Sequence, residues 1–401
     1  MTSEWNHSTI NDVCVLVTDG SHSSPKSVND GEYMVSVKDF TDYGFDFASC
    51  RMISHDDYET LKRNGCVPQI DDILIGKDGA RFFEDIIIYR QREKPALLSS
   101  IAILRCDKSK ILPDFLYYVL RTPSFRQDIK DNYGSGSAIP RIILKDFKRM
   151  MVSYPSLEKQ QSIISVLTAI DRKIQANTEI NDNLEHQAQA FFQELFVDNA
   201  DPEWAIGTIS DLGAVVGGST PSKAKPEYYT ETGIAWITPK DLSVNKSKFI
   251  SHGENDITEL GLKNSSATIM PEGTVLFSSR APIGYIAVTA GEVTTNQGFK
   301  SIVPKPKIGT AFVYYFLKHN LPIIEGMASG STFKEVSGST MKGVPAVIPD
   351  TDTIARFNDF CSPIFAQQRI LEEQNQSLAA LRDNLLPKLM SGEVDVSGIQ
   401  L

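Results

Sequence analysis

"SLEKQQSIISVLTAIDRKIQANTEINDNLEHQAQAFFQELF", residues 156–196, decides the architecture of this 401-residue chain. Apolar residues recur in steps of three and four: Ile163, Leu167, Ile170 and Ile174, then Leu184, Ala188, Phe191 and Leu195. Asn177 and Asn181 occupy the same seam between them. That period puts one apolar stripe along a long helix. Such a stripe must be buried, because helical stability in proteins comes mostly from packing an apolar face.

The partner is in the same chain. Shifted by 194 residues, "YPSLEKQQSIISVLTAIDRKIQANTEINDNLEHQAQAFFQELF" lies without a gap on "IPDTDTIARFNDFCSPIFAQQRILEEQNQSLAALRDNLLPKLM". Pro155 meets Pro349, and the helix caps Ser156 and Asp350 coincide. Glu158 and Asp352 both suit the positive end of a helix dipole. Ile170 meets Ile364, Leu184 meets Leu378 and Asn181 meets Asn375; the second seam reads Phe357, Cys361, Ile364, Leu371, Leu378, Leu385 and Leu389.

The expectation is a pair of antiparallel coiled-coil helices, the first roughly 60 Å long at 1.5 Å per residue. Asparagines in a seam lower stability but set register, so Asn181 and Asn375 are expected to be neighbours near the middle. Pro387 is expected to kink or end the second helix a turn early, with Gly392 at its C-terminus.

Upstream the copies also correspond. "STINDVCVLVTDGSHSSPK" parallels "GTISDLGAVVGGSTPSK", "GEYMVSVKDF" parallels "GIAWITPKDL", "DDILIGKDGA" parallels "EGTVLFSSRA", "DFLYYVLR" parallels "AFVYYFLK", and "YGSGSAIP" parallels "MASGSTFK". The patterns predict strands at 13–17, 33–37, 72–76, 86–89 and 100–105 and a helix at 114–121. The second copy predicts strands at 212–216, 234–238, 274–278, 285–289 and 300–303 and a helix at 310–319. The fold class is α+β (mixed α/β) with a pseudo-two-fold internal repeat. Its parts are a globule at 1–154, a helix at 155–198, a globule at 199–348, and a helix with its tail at 349–401.

Composition is that of a soluble protein, 41% apolar and 22% charged, with no bilayer-length apolar run and no signal pattern. Five scattered cysteines point to a reducing cytoplasm and against a zinc site. The net charge of −10 is unevenly spread: residues 1–150 and 201–350 carry −2 and −1, while 151–200 and 351–401 carry −4 and −3. The two globular segments are therefore near neutral and free to present a local basic face.

Several blocks resemble a known family. "PSLEKQQSIISVLTAIDRKI" is similar to the start of the central spacer helix in specificity subunits of Type I restriction–modification systems, and "LAALRDNLLPKLMSGEVDV" to the end of the second. "GGSTPSKAKPEYYTETGIAWITPKDL" and "GTVLFSSRAPIGYIAVTAGEVTTNQGFKSIVP" look like blocks of their target recognition domains. The resemblance implies two such domains, each reading one half of a bipartite, asymmetric double-stranded DNA site, held apart by the helices. It implies two modification (methyltransferase) subunits as partners, and an assembly that can recruit two ATP-driven restriction subunits. S-adenosylmethionine and Mg/ATP would belong to those partners, with no cofactor or catalysis in this chain. Half-sites on one face of B-DNA lie about 34–36 Å apart or a multiple of that, which a helical ruler can match.

Phosphate contacts need Lys, Arg, hydroxyls or backbone amides, and base readout needs directed donors and acceptors. Candidates in the first globule are Ser21, His22, Lys26, Lys38, Lys77, Arg81, Ser135, Ser137 and Arg141. In the second they are Thr220, Lys223, Thr238, Lys240, Ser278, Arg280, Asn296, Gln297, Ser331, Thr332 and Lys334. Recurrence at matching positions, as for Lys38 with Lys240 and Ser137 with Ser331, points to a scaffold or phosphate role, since base-reading residues should differ between the copies.

Enzyme readings find little support. The sequence has no Pro-Pro for an amino-methyltransferase loop, no phosphate-binding loop and no E-x-K. Asp114, Asp128 and Lys130 have a metal-nuclease-like order, but the second copy lacks all three. A stand-alone metal-dependent endonuclease and a scaffold that does not bind DNA are the alternatives.

Overall fold

The computed structural model describes residues 5–79, 81–133, 141–330 and 334–396. By its contacts the chain divides into a first unit, Met1–Arg172 with Leu378–Leu401, and a second, Lys173–Ser377.

In the first unit four antiparallel strands run in the order Cys14–Asp19, Ile101–Cys106, Ile73–Gly76, Ile86–Ile88. A three-stranded sheet, Arg51–Ile53, Glu32–Val35 and Ala96–Leu97, covers one face. The opposite face carries the helix Pro113–Arg121. The central strand is therefore buried on both sides and reads as a continuous apolar run rather than an alternation. Ile73 and Ile75 pack with Phe115 and Leu116, while Leu74 packs with Val35 and Ile103.

The second unit repeats this plan. Its five-stranded sheet runs Gly213–Gly217, Lys300–Pro304, Val275–Ser279, Ile283–Thr289, Phe249–Ile250. Val275 and Phe277 meet Phe312 of the helix Thr310–His319, and Leu276 meets Ile237 and Phe299 on the other face. The sequence pattern does not announce one pairing in each unit. Asn6–Thr9 pairs antiparallel with Met151–Tyr154, and Ala205–Thr208 with Pro345–Ile348. These ribbons tie the start of each globule to the entry of the following long helix.

The first long helix is Leu157–Gln193, followed by a wider turn at Glu194–Asp198; the second is Thr351–Ser391. Asp350 caps the second by accepting from the Thr353 amide at 2.9 Å. Within the first unit Ile163 and Leu167 share a core with Leu386 and Leu389, and Arg382 donates to Asp171 at 2.9 Å. Within the second, Ala188 and Phe192 share a core with Phe357, Cys361 and Ile364. Numbers rise on one helix as they fall on the other, so the pairing is antiparallel in both units.

Two expectations need correction. Asn375 meets Asn177, whose Nδ2 donates to Asn375 Oδ1 at 2.9 Å, and not Asn181. The backbone carbonyl of Asn181 accepts from Gln368 at 3.2 Å. Asn181 and Asn375 are equivalent by repeat, but in an antiparallel pair equivalence and contact are different relations. Pro387 does not end its helix, which runs on to Ser391 before Gly392 turns at φ +76°. Leu386 and Leu389, both buried, hold that last turn in the core, each contributing about 1.5–3 kcal/mol. That offsets the backbone bond a proline removes. Asp383, four residues before Pro387, is exposed, where water can serve its carbonyl.

Candidate nucleic-acid interface

Each unit carries the same backbone frame at one end of its main sheet. Gly20 presses against the carbonyls of Leu97 and Leu98, so close that a Cβ there would lie 2.3 Å from Leu97 O. Gly218 sits in the same way, its Cβ position 2.0 Å from Asn296 O. Only glycine allows such an approach. The next amides then bond alike, Ser21 N to Leu97 O at 2.7 Å and Ser219 N to Thr295 O at 2.9 Å. At the end of the central strand, the Lys77 amide donates to Ser100 O, and the Lys77 carbonyl accepts from Ile142 N. Ser279 does the same with Gly298 O and Val336 N.

These bonds make Lys77 equivalent to Ser279, one residue off the alignment with Ser278 that the sequence suggests. They also pair Asp78 with Arg280, Arg141 with Glu335, His22 with Thr220, Ser99 with Gln297, and Ala102 with Lys300.

On this frame the side chains diverge. In the first unit Lys77 is only 2% exposed, its Nζ 3.2 Å from Asp19 and 3.9 Å from Asp78, while His22 lies 3.4 Å from Asp19. In the second the central ammonium comes from the neighbouring strand. Lys300 Nζ lies 3.4 Å from Ser279 Oγ, 3.3 Å from Gln297 O and 3.5 Å from Glu335. Arg280 approaches the other Glu335 oxygen at 3.6 Å, and Thr220 bonds Gln297.

The expected site residues thus fall into groups. His22, Lys26, Lys38, Arg81, Arg141, Lys223, Lys240, Gln297 and Lys334 are exposed, and Thr220 and Arg280 are partly so. Lys38 and Lys240 occupy matching short turns opened by capping boxes, Ser36 with Asp39 and Thr238 with Asp241. Arg81 is paired with Asp85 at 2.6 Å and Lys240 with Glu254 at 2.6 Å. Ser21, Lys77 and Ser278 are buried. Ser21 Oγ binds within its own loop, and Ser278 Oγ donates to Pro282 O and accepts from Tyr285 N. Asn296 accepts from Gly298 N at 2.8 Å. These buried or locally bonded groups build the frame rather than a surface. Ser135, Ser137, Ser331 and Thr332 lie outside the described residues. Sequence reasoning did not single out Asp19, Ser99, Lys300 or Glu335; only the strand register brings them to the cluster.

A second feature also repeats. An open groove of about 310 Å³ in the first unit is lined by Val119, Phe125, Met151, Val152 and Met390 together with the hydroxyl-bearing Thr122, Ser124, Ser153 and Ser391. One of about 460 Å³ in the second is lined by Phe316, His319, Ile323, Pro345, Ala346 and Phe196, with exposed Ile206 and Val347 at its edge. Met151 and Pro345, Val152 and Ala346, and Met390 and Phe196 are repeat equivalents.

Beneath the second unit's sheet lies a charged group on the first long helix. Glu185 accepts from Lys318 at 2.6 Å and Tyr315 at 2.8 Å, and is paired closely with Lys248. Lys248 is buried, donates to Gln368 at 2.6 Å, and faces the rings of Tyr314, Tyr315 and Phe365. Burial alone would raise the Glu185 carboxyl, but the ammonium groups, Lys248 foremost, outweigh it and hold it at about 2. The first unit has a counterpart in Tyr118, which donates to Asp171 at 2.6 Å. In both units a tyrosine of the helix under the sheet is anchored to an acid of the first long helix.

Among the described residues no group of three or more His, Cys, Asp or Glu could hold a metal ion, and no helix is long and apolar enough to cross a membrane.

The family model described as Type I restriction modification DNA specificity domain matches the chain twice, over residues 2–186 and 202–381. A Type I restriction enzyme MjaIX specificity subunit from Methanocaldococcus jannaschii is 39% identical over 45% of this chain; the match spans 44% of that protein's length. The HindI specificity subunit of Haemophilus influenzae is 24% identical over 73% of this chain and 80% of its own. A crystal structure of the Type I restriction–modification S subunit from M. genitalium superposes with a TM-score of 0.57 at 16% identity, covering 97% of this chain and 96% of that one.

Proposed function

The chain belongs to the family of Type I restriction–modification DNA specificity domains, and from that premise we propose that it reads a bipartite DNA site for a modification complex. Each unit would read one half-site through the surface built on its Gly-Ser frame, and the long helices would set the gap between halves. Two modification subunits would supply the methyl transfer, while this chain contributes recognition alone.

The observation that carries the reading is a repeated frame bearing unrepeated side chains. Phosphate positioning can be shared by two domains, but reading two different base sequences requires different donors and acceptors at the same places. The test is co-expression with the cognate modification subunit and genome-wide mapping of methylated adenines. The expected result is a motif of two unlike halves separated by a constant gap. A short continuous palindrome, or no motif, contradicts the reading.

The two repeat-equivalent grooves support a partner present in two copies, each copy engaging one groove. Exposed Ile206, 83% accessible, edges the second groove. Ile206→Asp is expected to weaken capture of the modification subunit at least tenfold, since even a neutral polar group buried without a hydrogen bond costs about 1–3 kcal/mol and a carboxylate costs more. Titration calorimetry or native mass spectrometry would read it as a shift from two bound copies to one. Unchanged stoichiometry and affinity would remove the groove from the interface.

A further inference from the structure

We propose that Arg280 is the guanine-reading residue of the second unit and that Glu335 positions it; this rests on the DNA-recognition reading above. Frame bonds place Arg280 where the first unit has Asp78, and Glu335 where it has Arg141. The two units thus carry opposite charges at the same two points of one fold. A phosphate anchor would not change sign between copies, because the phosphate is negative under every sequence. A base reader must change when the base does.

The local geometry suits this role. Among the described residues, the one charged partner of Arg280 is Glu335, at 3.6 Å through Nη1. That distance is too long for a hydrogen bond, so the carboxylate orients the guanidinium without using up its donors. Lys300 approaches the other Glu335 oxygen, fixing the carboxylate from behind. Arg280 remains 39% exposed. Its neighbour Ala281 sits at φ +48°, a left-handed conformation that alanine disfavours and that therefore marks a turn held in place by its surroundings. The exposed Gln297, bonded to Thr220, adds directed polar groups beside it. Arginine pairs its fork with O6 and N7 of guanine in the major groove, and glutamine pairs with N6 and N7 of adenine.

The experiment uses the full chain co-expressed with its modification subunit, with the methylated motif as readout. Arg280→Ala is expected to relax one G·C position in one half-site roughly ten- to hundredfold, leaving the other half and the gap unchanged. Arg280→Gln is expected to move preference at that same position toward A·T. Glu335→Gln should relax that position alone, and by less. An unchanged motif in the arginine variants, or an equal loss at every position, overturns the assignment. If Arg280→Ala abolishes methylation, Arg280→Gln decides: a motif altered at one G·C position supports the proposal, and a native motif or none overturns it. A wild-type chain without any bipartite motif would instead overturn the functional reading beneath it.

Discussion

Replacing Glu185 by alanine is expected to destabilise the second unit by about 3–5 kcal/mol, the usual consequence of leaving a buried charge without its partner. Lys248 would remain enclosed among Tyr314, Tyr315 and Phe365; among the described residues its ammonium would keep the neutral groups of Tyr315 and Gln368 in bonding distance, with Glu372, whose carboxylate accepts from the Lys248 amide, as the remaining negative charge nearby. Two of the three tryptophans, Trp204 and Trp236, lie in the second unit. In a Trp5→Phe background, denaturant unfolding followed by fluorescence therefore reports that unit. A loss below about 1 kcal/mol would show that the ions are solvated rather than enclosed. Replacing both partners, Glu185→Leu with Lys248→Met, should cost less than the single change, because no charge is left behind.

The same group gives a pH dependence with a definite sign. The folded carboxyl is held at about 2, below its ordinary value near 4.3. Its contribution is therefore complete above that ordinary value and is lost as pH falls toward about 2. Stability of the second unit should drop between about pH 4.5 and 2 more steeply in the native chain than in Glu185→Leu/Lys248→Met.

The second large effect concerns spacing. Four residues inserted after Asn177, with four more between Gln374 and Asn375, lengthen both helices by about 6 Å, a little over one turn. Opposed insertions are needed because Asn177 and Asn375 face each other, and a one-sided insertion would slide every seam residue past its partner. At about 3.4 Å per base pair, the gap between half-sites should grow by one to two base pairs while the bases read stay the same. A motif whose bases change while the gap stays fixed would refute the ruler.

Much of this molecule could be read from its residues, and the exceptions have physical causes. The caps at Ser156 and Asp350, the apolar seams and the central strands of both sheets lie where local pattern places them, because each rests on short-range chemistry. The pairing of Asn177 with Asn375 does not follow from repeat alignment, since a repeat reveals which residues are alike rather than which touch. The one-residue shift that brings Lys77 opposite Ser279 was hidden for a similar reason. Strands buried on both faces are apolar throughout, so sliding one by a residue breaks no visible alternation. Gln160, fully buried and bonded to Leu112 N, Lys110 O and Pro155 O, reads in sequence as an ordinary surface glutamine. The ion cluster at Glu185 draws on residues 63 to 183 positions away, from Lys248 to Gln368, beyond any local signal.

The division of the chain also has a consequence for its synthesis. The second unit is one uninterrupted stretch, whereas the first is closed by residues from both ends, with Leu386 and Leu389 in its core and Gly392 against Trp5. A ribosome therefore releases everything the second unit needs before it delivers the last helix turns that the first requires. The earlier-made globule must wait with an apolar face uncovered until the helix turns beyond residue 377 have been made. A nascent chain halted at residue 377 should bind chaperones through that face, and extending it through Leu386 and Leu389 to Gly392 should release them.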